Sequence, residues 1–441
     1  MDTEKTVLLI GAARSGVAAS RLLNKHGYHV ILTDMKAIDQ KDELEAEGIE
    51  VYDNGHPDFL KEKDYAFIVK NPGIPYRAPL VKFFVEKGTP IYTEIETAFN
   101  LDPKLEYGAI TGTDGKTTTT TLLWEMLKKK NPNAQAAGNI GIPLSEIALS
   151  HPDEELDVAL ELSNFQLLGI EKFRPHVSCV TNLAPDHLDY MDSLDAYYKS
   201  KFRIYMNTNE EDIFIRNTDD PLIMEYAKNI PCQVVDFSLY DPKADLYCDG
   251  KTVWLKDVAL FEKKDLRMVG DFNLANAMMA AAEAYYLGVT PEQIQETIKG
   301  FPGVEHRIEY VATIDGVDIY NDSKATNTHS AAAALSAFKD RDVLLLCGGK
   351  DKGIDYSEIA GYDDEIKHCF SFGQIKDKFV KIFSRVTPLE TMEQSLDAAL
   401  EMAEPGDVIL LCPATSSFDQ FKNYEVRGEI FKDLVHQREK A

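Results

Sequence analysis

Short β-branched or leucine-rich runs alternate with longer stretches of helical periodicity along all 441 residues. That arrangement is expected of α/β domains built on mainly parallel sheets. The first run, Thr6–Ile10, leads through a Gly/Ala turn into a helix reaching about Lys25, then into a second strand over 29–34. A further strand over 65–70 gives way to Asn71-Pro72-Gly73-Ile74-Pro75, turn chemistry placed where a strand should end. The pattern pauses at Asn100-Leu101-Asp102-Pro103, and a new unit opens with a strand over 107–111. An Ala-rich helix over 273–287 and another from Pro291 run into Gly300-Phe301-Pro302-Gly303, which reads as a linker. Beyond it, strands are expected over 343–347, 368–372 and 408–412. The expected organisation is three α/β domains, 1–98, 99–302 and 303–441, with no internal repeat.

Charge narrows the classes. Lys+Arg number 47 against Asp+Glu 73, a formal net charge of −26. Such a surface repels DNA, RNA and anionic lipid, so a nucleic-acid protein or basic membrane binder is excluded and any anionic ligand must be held locally. With 44% hydrophobic residues the chain has ample material for separate cores. Its first apolar run stops at Ile10, short of a signal peptide, and no later run spans a bilayer, so a cytoplasmic protein is expected. Six cysteines, at 179, 232, 248, 347, 369 and 412, never form CxxC and read as buried apolar thiols.

The strongest motif is Ile110-Thr111-Gly112-Thr113-Asp114-Gly115-Lys116-Thr117-Thr118, a turn between strand and helix. Backbone N–H groups at such a helix start cradle phosphates, Lys116 neutralises β/γ oxygens, and the Thr117 hydroxyl is suited to Mg²⁺. It departs from GxxxxGK[ST] in having Ile110 where the first Gly belongs. Gly11-Ala12-Ala13-Arg14-Ser15-Gly16, with Asp34 ending the next strand, resembles a Rossmann turn. Ala13 replaces the glycine that admits a dinucleotide pyrophosphate, which disfavours NAD and leaves either a diphosphate site or a structural turn. Glu161 and Asp186-His187 follow strands over 157–161 and 177–182, at the carboxyl ends where α/β sheets bind ligands, so Glu161 and His187 are candidate metal ligands. Asn273 and Asn276 share a helix face, for contact to a base or for capping. The last segment offers Lys324, Lys352 and a Ser-rich helix start after its last strand as a pocket for a small dianion.

Taken in order, these residues resemble the Mur ligase family of ATP-dependent amide-forming enzymes over essentially the whole chain. Asn321-Asp322-Ser323-Lys324-Ala325-Thr326-Asn327 and Ser417-Phe418-Asp419-Gln420-Phe421 with Arg427-Gly428 resemble the branch that adds D-glutamate to UDP-N-acetylmuramoyl-L-alanine. The DNPR-type motif of the diaminopimelate- or lysine-adding branch is missing. The resemblance implies a Rossmann-like UDP-binding domain, a central P-loop ATPase-type domain and a Rossmann-like C-terminal domain that admits the amino acid. By that likeness Gly11, Arg14, Ser15, Asp34, Gly73 and Asn139 meet the UDP-sugar. Gly112, Thr113, Asp114, Gly115, Lys116, Thr117, Thr118, Asn273, Asn276, Arg307 and Asp322 bind ATP, with Lys116, Glu161, His187, Lys201 and Arg307 catalytic. Thr117, Glu161, His187 and a carbamylated Lys201 hold two Mg²⁺, Lys199 being the less suitable lysine. Lys324, Thr326, Lys352, Ser417, Phe418 and Tyr424 hold the amino acid. A monomer acting on small molecules is implied. Three departures are Asp114 for the usual Asn, Asn164 for the second Ser of ELSSFQ, and Tyr424 for Phe. Alternatives are a folylpolyglutamate-type ligase, which normally begins at the ATPase domain, a nucleotide-gated binding protein without ligase activity, and a Rossmann oxidoreductase.

Overall fold

Val7, Leu8, Leu9 and Ile10 are all at most 1% exposed, as a strand covered on both faces requires. In the computed structural model, which describes residues 5–102, 104–152, 154–185, 191, 193–353 and 355–440, these residues form the middle of a parallel sheet. Its strands are β1 (Thr6–Ile10), β2 (His29–Thr33), β3 (Glu50–Tyr52), β4 (Phe67–Lys70) and β5 (Ile91–Tyr92), in the order β3-β2-β1-β4-β5. Ile10 pairs with Thr33 on one side and Lys70 on the other. The turn after β1 therefore opens at the point where strand order reverses, the place where open α/β sheets bind ligands.

The second sheet contains β6 (Leu105–Thr111), β7 (Gln135–Gly138), β8 (Leu156–Glu161), β9 (Val177–Val180), β10 (Ile213–Asn217), β11 (Gln233–Phe237), β12 (Leu246–Cys248), β13 (Thr252–Leu255) and β14 (Val258–Glu262). Its order is β14-β13-β12-β11-β10-β9-β6-β8-β7, so β6 lies between β8 and β9 and again marks a reversal. The antiparallel edge β12–β14 interrupts the otherwise parallel pattern. Its turns use the left-handed backbone of Gly250 (φ 95°) and Lys256 (φ 53°). The third sheet runs β15 (Glu309–Ile314), β16 (Val317–Asn321), β17 (Val343–Gly348), β18 (Ile366–Phe372), β19 (Val386–Pro388) and β20 (Val408–Leu411), in the order β15-β16-β20-β17-β18-β19. All but the β15–β16 hairpin is parallel.

The chain forms two compact units. One holds the residues up to Lys263 with Asn276–Thr297, and the other Lys264–Ala275 with the residues from Ile298 onward. The first two sheets thus share a unit, and the helix Glu94–Leu101 shows how they are joined. The buried Glu96 carboxylate accepts the backbone N–H groups of Glu171, Lys172 and Phe173 at 2.9 Å. Thr93 donates its N–H to the Gly169 carbonyl at 3.0 Å and its hydroxyl to that of Gln166. Glu94 accepts the Ser145 N–H, and burial pushes its carboxyl up to about 7. Among the described residues no helix is long and apolar enough to cross a membrane.

Candidate active site

The turn after β6 is shaped by two glycines. Gly112 has φ 147° and a Cβ there would lie 1.9 Å from Thr181 Oγ1; Gly115 has φ 79° and a Cβ would lie 2.4 Å from Asn276 Oδ1. Gly115 forms the N-cap of the helix Lys116–Lys130, so that helix's first N–H groups face the turn. Lys116 Nζ donates to the Gly112 and Thr113 carbonyls at 2.9 and 2.6 Å. Lys201 is 1% exposed, yet its Nζ donates to the same Gly112 carbonyl at 2.6 Å, with the Tyr197 ring centroid 4.6 Å away. Two ammonium groups thus meet on one oxygen, which favours a polyanion. Asp114 is exposed. It serves the turn through its backbone, donating its N–H to Asn182 Oδ1 at 2.9 Å and accepting from Thr181 Oγ1 at 2.5 Å.

Glu161 ends β8 and is 1% exposed. Its Oε1 accepts from Asn139 Nδ2 at 2.7 Å, while Oε2 is buried without a partner. The Glu161 carbonyl takes the Asn139 N–H at 2.9 Å. A buried, unpaired carboxylate oxygen is costly unless a cation completes it, so this donor set fits a hard divalent ion. Asn164 follows Ser163, whose hydroxyl and Gln166 form a capping box; Asn164 Nδ2 is also buried and unpaired. His187 lies outside the described residues. Thr117 and Thr118 sit half-buried in the first turn of the helix.

In the first sheet, Asp34 Oδ2 accepts the Ala12 N–H at 2.7 Å, so the carboxylate braces the turn after β1. Gly11 has φ 102°, and a Cβ there would meet Asn71 Cβ at 2.6 Å. Asn71 Nδ2 donates to Ser15 Oγ at 3.2 Å and Asn71 Oδ1 accepts the Gly73 N–H at 3.1 Å. Arg14 reaches the Gly141 carbonyl at 3.0 Å, next to the Asn139 turn. A cavity of about 640 Å³, lined by Ala12, Arg14, Ile38, Glu146 and Ser150 among others, opens beside this turn. The structure therefore brings Gly11, Arg14, Ser15, Asp34, Gly73 and Asn139 into one neighbourhood.

In the second unit, Asp322 follows β16 and is buried, which pushes its carboxyl up to about 7. Its Oδ1 accepts the Ile308 N–H at 3.2 Å. Arg307 stands between His306 and Ile308, both with positive φ (62° and 44°), a strained turn of the kind found at functional sites. His306 packs against Gly428, where a Cβ would lie 2.2 Å from the ring, and Asn321 Nδ2 bonds its Nδ1 at 3.0 Å. Lys324 Nζ lies 5.5 Å from the Tyr424 ring centroid, and Lys352 Nζ donates to the Thr326 carbonyl at 2.7 Å. Ser417 is buried and Phe418 is 63% exposed. Asn273 Nδ2 is taken up by the Val269 carbonyl at 2.8 Å, while Asn276 lies against Gly115 in the first unit.

Arg427 belongs to a motif of the sequence but carries no role there. It is fully buried, donating to Ser323 Oγ at 2.9 Å, the Ser323 carbonyl at 2.8 Å and the Thr415 carbonyl at 3.2 Å, with Gly348 O at 3.4 Å. It thereby ties together the loops leaving β16, β17 and β20, which carry Lys324, Lys352 and Ser417. Burial lowers its guanidinium to about 10. A lone arginine in a helical stretch gives no signal of such a knot.

A phosphate-type turn at one sheet reversal, a second strand–turn–helix beside it and a third α/β sheet define the Mur ligase class. The sequence matches the Mur ligase middle domain over residues 110–284 and the Mur ligase glutamate ligase domain over 306–415. It is 41% identical to the UDP-N-acetylmuramoylalanine--D-glutamate ligase of Geobacillus kaustophilus over 98% of both chains. It is 39% identical to the ligase of the same name from Streptococcus mutans, over 97% of this chain and 96% of that one. The chain belongs to the Mur ligase family. In fold it is similar to the UDP-N-acetylmuramate-alanine ligase of Thermotoga maritima (TM-score 0.55, 18% identity, covering 98% of this chain and 99% of that one). It is likewise similar to a UDP-N-acetylmuramoyl-L-alanyl-D-glutamate--2,6-diaminopimelate ligase (TM-score 0.60, 14% identity, covering 93% and 94%).

Proposed function

We propose that the protein is an ATP-dependent ligase that joins D-glutamate to UDP-N-acetylmuramoyl-L-alanine, forming ADP, phosphate and a new amide in peptidoglycan precursor synthesis. The observation that carries the chemistry is Lys116 on the Gly112 and Thr113 carbonyls, at the Gly115-capped start of a helix that opens at the β6 reversal. Such a turn is built to hold a polyphosphate. The full-length likeness to D-glutamate ligases supports the choice of substrates.

An L-alanyl carboxylate is a poor electrophile. One of its oxygens attacks the γ-phosphorus of ATP, ADP leaves, and the resulting acyl phosphate carries a good leaving group. The neutral amine of D-glutamate, having lost its proton, adds to the carbonyl carbon, and the tetrahedral intermediate expels phosphate with the C–O electron pair. Negative charge concentrates in both steps, so positioned cations supply most of the rate. Lys116 lies at the phosphate turn, and Arg307 is assigned to the transferring group. Asp322 holds the turn that carries Arg307. Thr117, Glu161, His187 and Lys201 would hold two Mg²⁺, which neutralise phosphate charge when bound. Lys201 as an ammonium cannot be a ligand; as a carbamate it gains anionic oxygens suited to Mg²⁺. The UDP-sugar is assigned to the turn after β1 with Gly73 and Asn139, and the amino acid to Lys324, Thr326, Lys352, Ser417, Phe418 and Tyr424. Domains over 1–98, 99–302 and 303–441 divide these tasks in a cytoplasmic monomer.

Purified protein given ATP and Mg²⁺ should release ADP only when both UDP-N-acetylmuramoyl-L-alanine and D-glutamate are present. ADP release with neither, or none with both, contradicts the proposal.

A further inference from the structure

Lys70, the last residue of β4, is 0% exposed, and no carboxylate among the described residues pairs with it. Its ammonium has three protons, and three carbonyls of the following turn receive them: Asn71 at 3.1 Å, Pro72 at 3.2 Å and Ile74 at 2.7 Å. The Tyr76 ring lies beneath, its centroid 4.8 Å from Nζ. The turn so gathered is the one whose Asn71 packs on Gly11, bonds Ser15 and orients the Gly73 N–H. The turn's own N–H groups are already taken, Asn71 by the Ile10 carbonyl, Gly73 by Asn71 Oδ1 and Ile74 by the Asn71 carbonyl, so what lies behind this turn for an anion is the positive potential of the buried ammonium.

We propose that Lys70 is a positioning residue of the UDP-sugar site: its buried ammonium folds the Asn71–Ile74 turn around itself and supplies the counter-charge for the diphosphate. The proposal rests on the assignment of the UDP moiety to Gly11, Arg14, Ser15 and Gly73. It extends that assignment by one cation that does not touch the substrate and lies outside every motif.

The neighbouring charges are committed elsewhere. On the helix Arg14–Lys25, Arg14 faces Gly141 and Glu146, Arg21 faces Glu43 and Glu47, and Lys25 faces the Leu149 carbonyl. On the helix Glu94–Leu101, Glu94 accepts from Ser145 and Glu96 from the 171–173 backbone. On β5, Tyr92 donates to Glu171. Tyr76 feels Arg203. Desolvation alone lowers Lys70 to about 8, so it is the group of this neighbourhood that changes charge just above neutrality.

The test compares the wild type with Lys70→Met and Lys70→Arg in the full chain, using UDP as the binding probe and steady-state turnover alongside. Wild type should bind UDP; if it does not, the UDP-site assignment fails, and this proposal with it. With wild-type binding in hand, Lys70→Met should weaken UDP and raise KM for the UDP-substrate by about tenfold or more, the loss expected for a charged hydrogen-bond hub. KM for ATP and kcat should stay within about twofold, and Lys70→Arg should recover most of the loss. Equal UDP affinity in Lys70→Met, or a matching loss in KM for ATP, overturns the proposal. Should Lys70→Met not fold, the pH dependence decides. From pH about 7 to about 9 wild type loses UDP affinity as Lys70 deprotonates, whereas Lys70→Arg, which stays charged, follows only the titration of UDP common to both, since burial raises the Tyr76 phenol further above this range. Identical profiles overturn the proposal.

Discussion

The turns after β1 and β6 solve one problem differently. Both open at a strand reversal, both use a positive-φ glycine as their first residue, and both belong to a chain of net charge −26 that must hold polyanions. After β6 the cation stands at the turn itself: Lys116 donates to the Gly112 and Thr113 carbonyls. After β1 no lysine lies in the turn; Arg14 reaches across to Gly141, and Lys70 sits buried beneath the adjoining turn. A group that must follow moving charge during phosphoryl transfer belongs at the phosphates, whereas a substrate handle that is only bound can be held by charge placed behind the backbone.

The largest effect expected from this contrast is in Lys116→Met, which should lower kcat by about 10³-fold, the order found for removing a preorganised charge from a transition state; rapid-quench ADP formation measures it. Lys201→Ala should lose roughly 10²-fold or more, with partial recovery when a short carboxylate is added to the assay. Full activity without the additive would remove the carbamate from the mechanism. Arg427→Met should raise KM for D-glutamate and cost about 3 kcal/mol of stability, because four oxygen acceptors lose their donor; urea unfolding and D-glutamate titration read the two parts.

Smaller effects lie away from the phosphates. Glu94 is raised from 4.5 to about 7 by burial. Its native state holds a proton that the unfolded chain gives up near 4.5, so wild-type stability should fall as pH rises from about 4.5 to 7. A shift of that size is worth about 3 kcal/mol at most. Glu94→Gln keeps an oxygen for the Ser145 N–H and should flatten this dependence, gaining about 1–3 kcal/mol at pH 8 and little at pH 5 in thermal or urea unfolding. Smallest, Asp114→Asn should tighten ATP by no more than about threefold, since an exposed carboxylate is well screened.

Much of this was legible in the sequence where a residue's role is local. β1 spans the residues that the apolar run predicts, and the helix Lys116–Lys130 starts at the lysine of the glycine turn. The helices expected from 273 and from Pro291 are Asp271–Tyr286 and Pro291–Gly300. The antiparallel edge β12–β14 was not foreseen, because short strands joined by left-handed turns at Gly250 and Lys256 carry little periodicity. The expected strand over 177–182 ends at Val180, after which Thr181 and Asn182 turn to the Asp114 backbone. Arg427 had no role assigned to it and Lys70 and Glu96 were not singled out, because a buried charge looks like a surface one until the fold is known: Arg427 and Glu96 act on backbone groups far from them in sequence, and Lys70 on the turn that follows it.

The most direct test of the central claim is the mass of the product formed when the enzyme, ATP, Mg²⁺ and UDP-N-acetylmuramoyl-L-alanine are mixed in parallel with D-glutamate, L-glutamate and L-lysine. The expected result is a UDP-sugar product heavier by one glutamyl residue in the D-glutamate reaction alone, matched by one ADP per product. An L-lysyl product, equal products from both glutamates, or ADP without any new amide would contradict it.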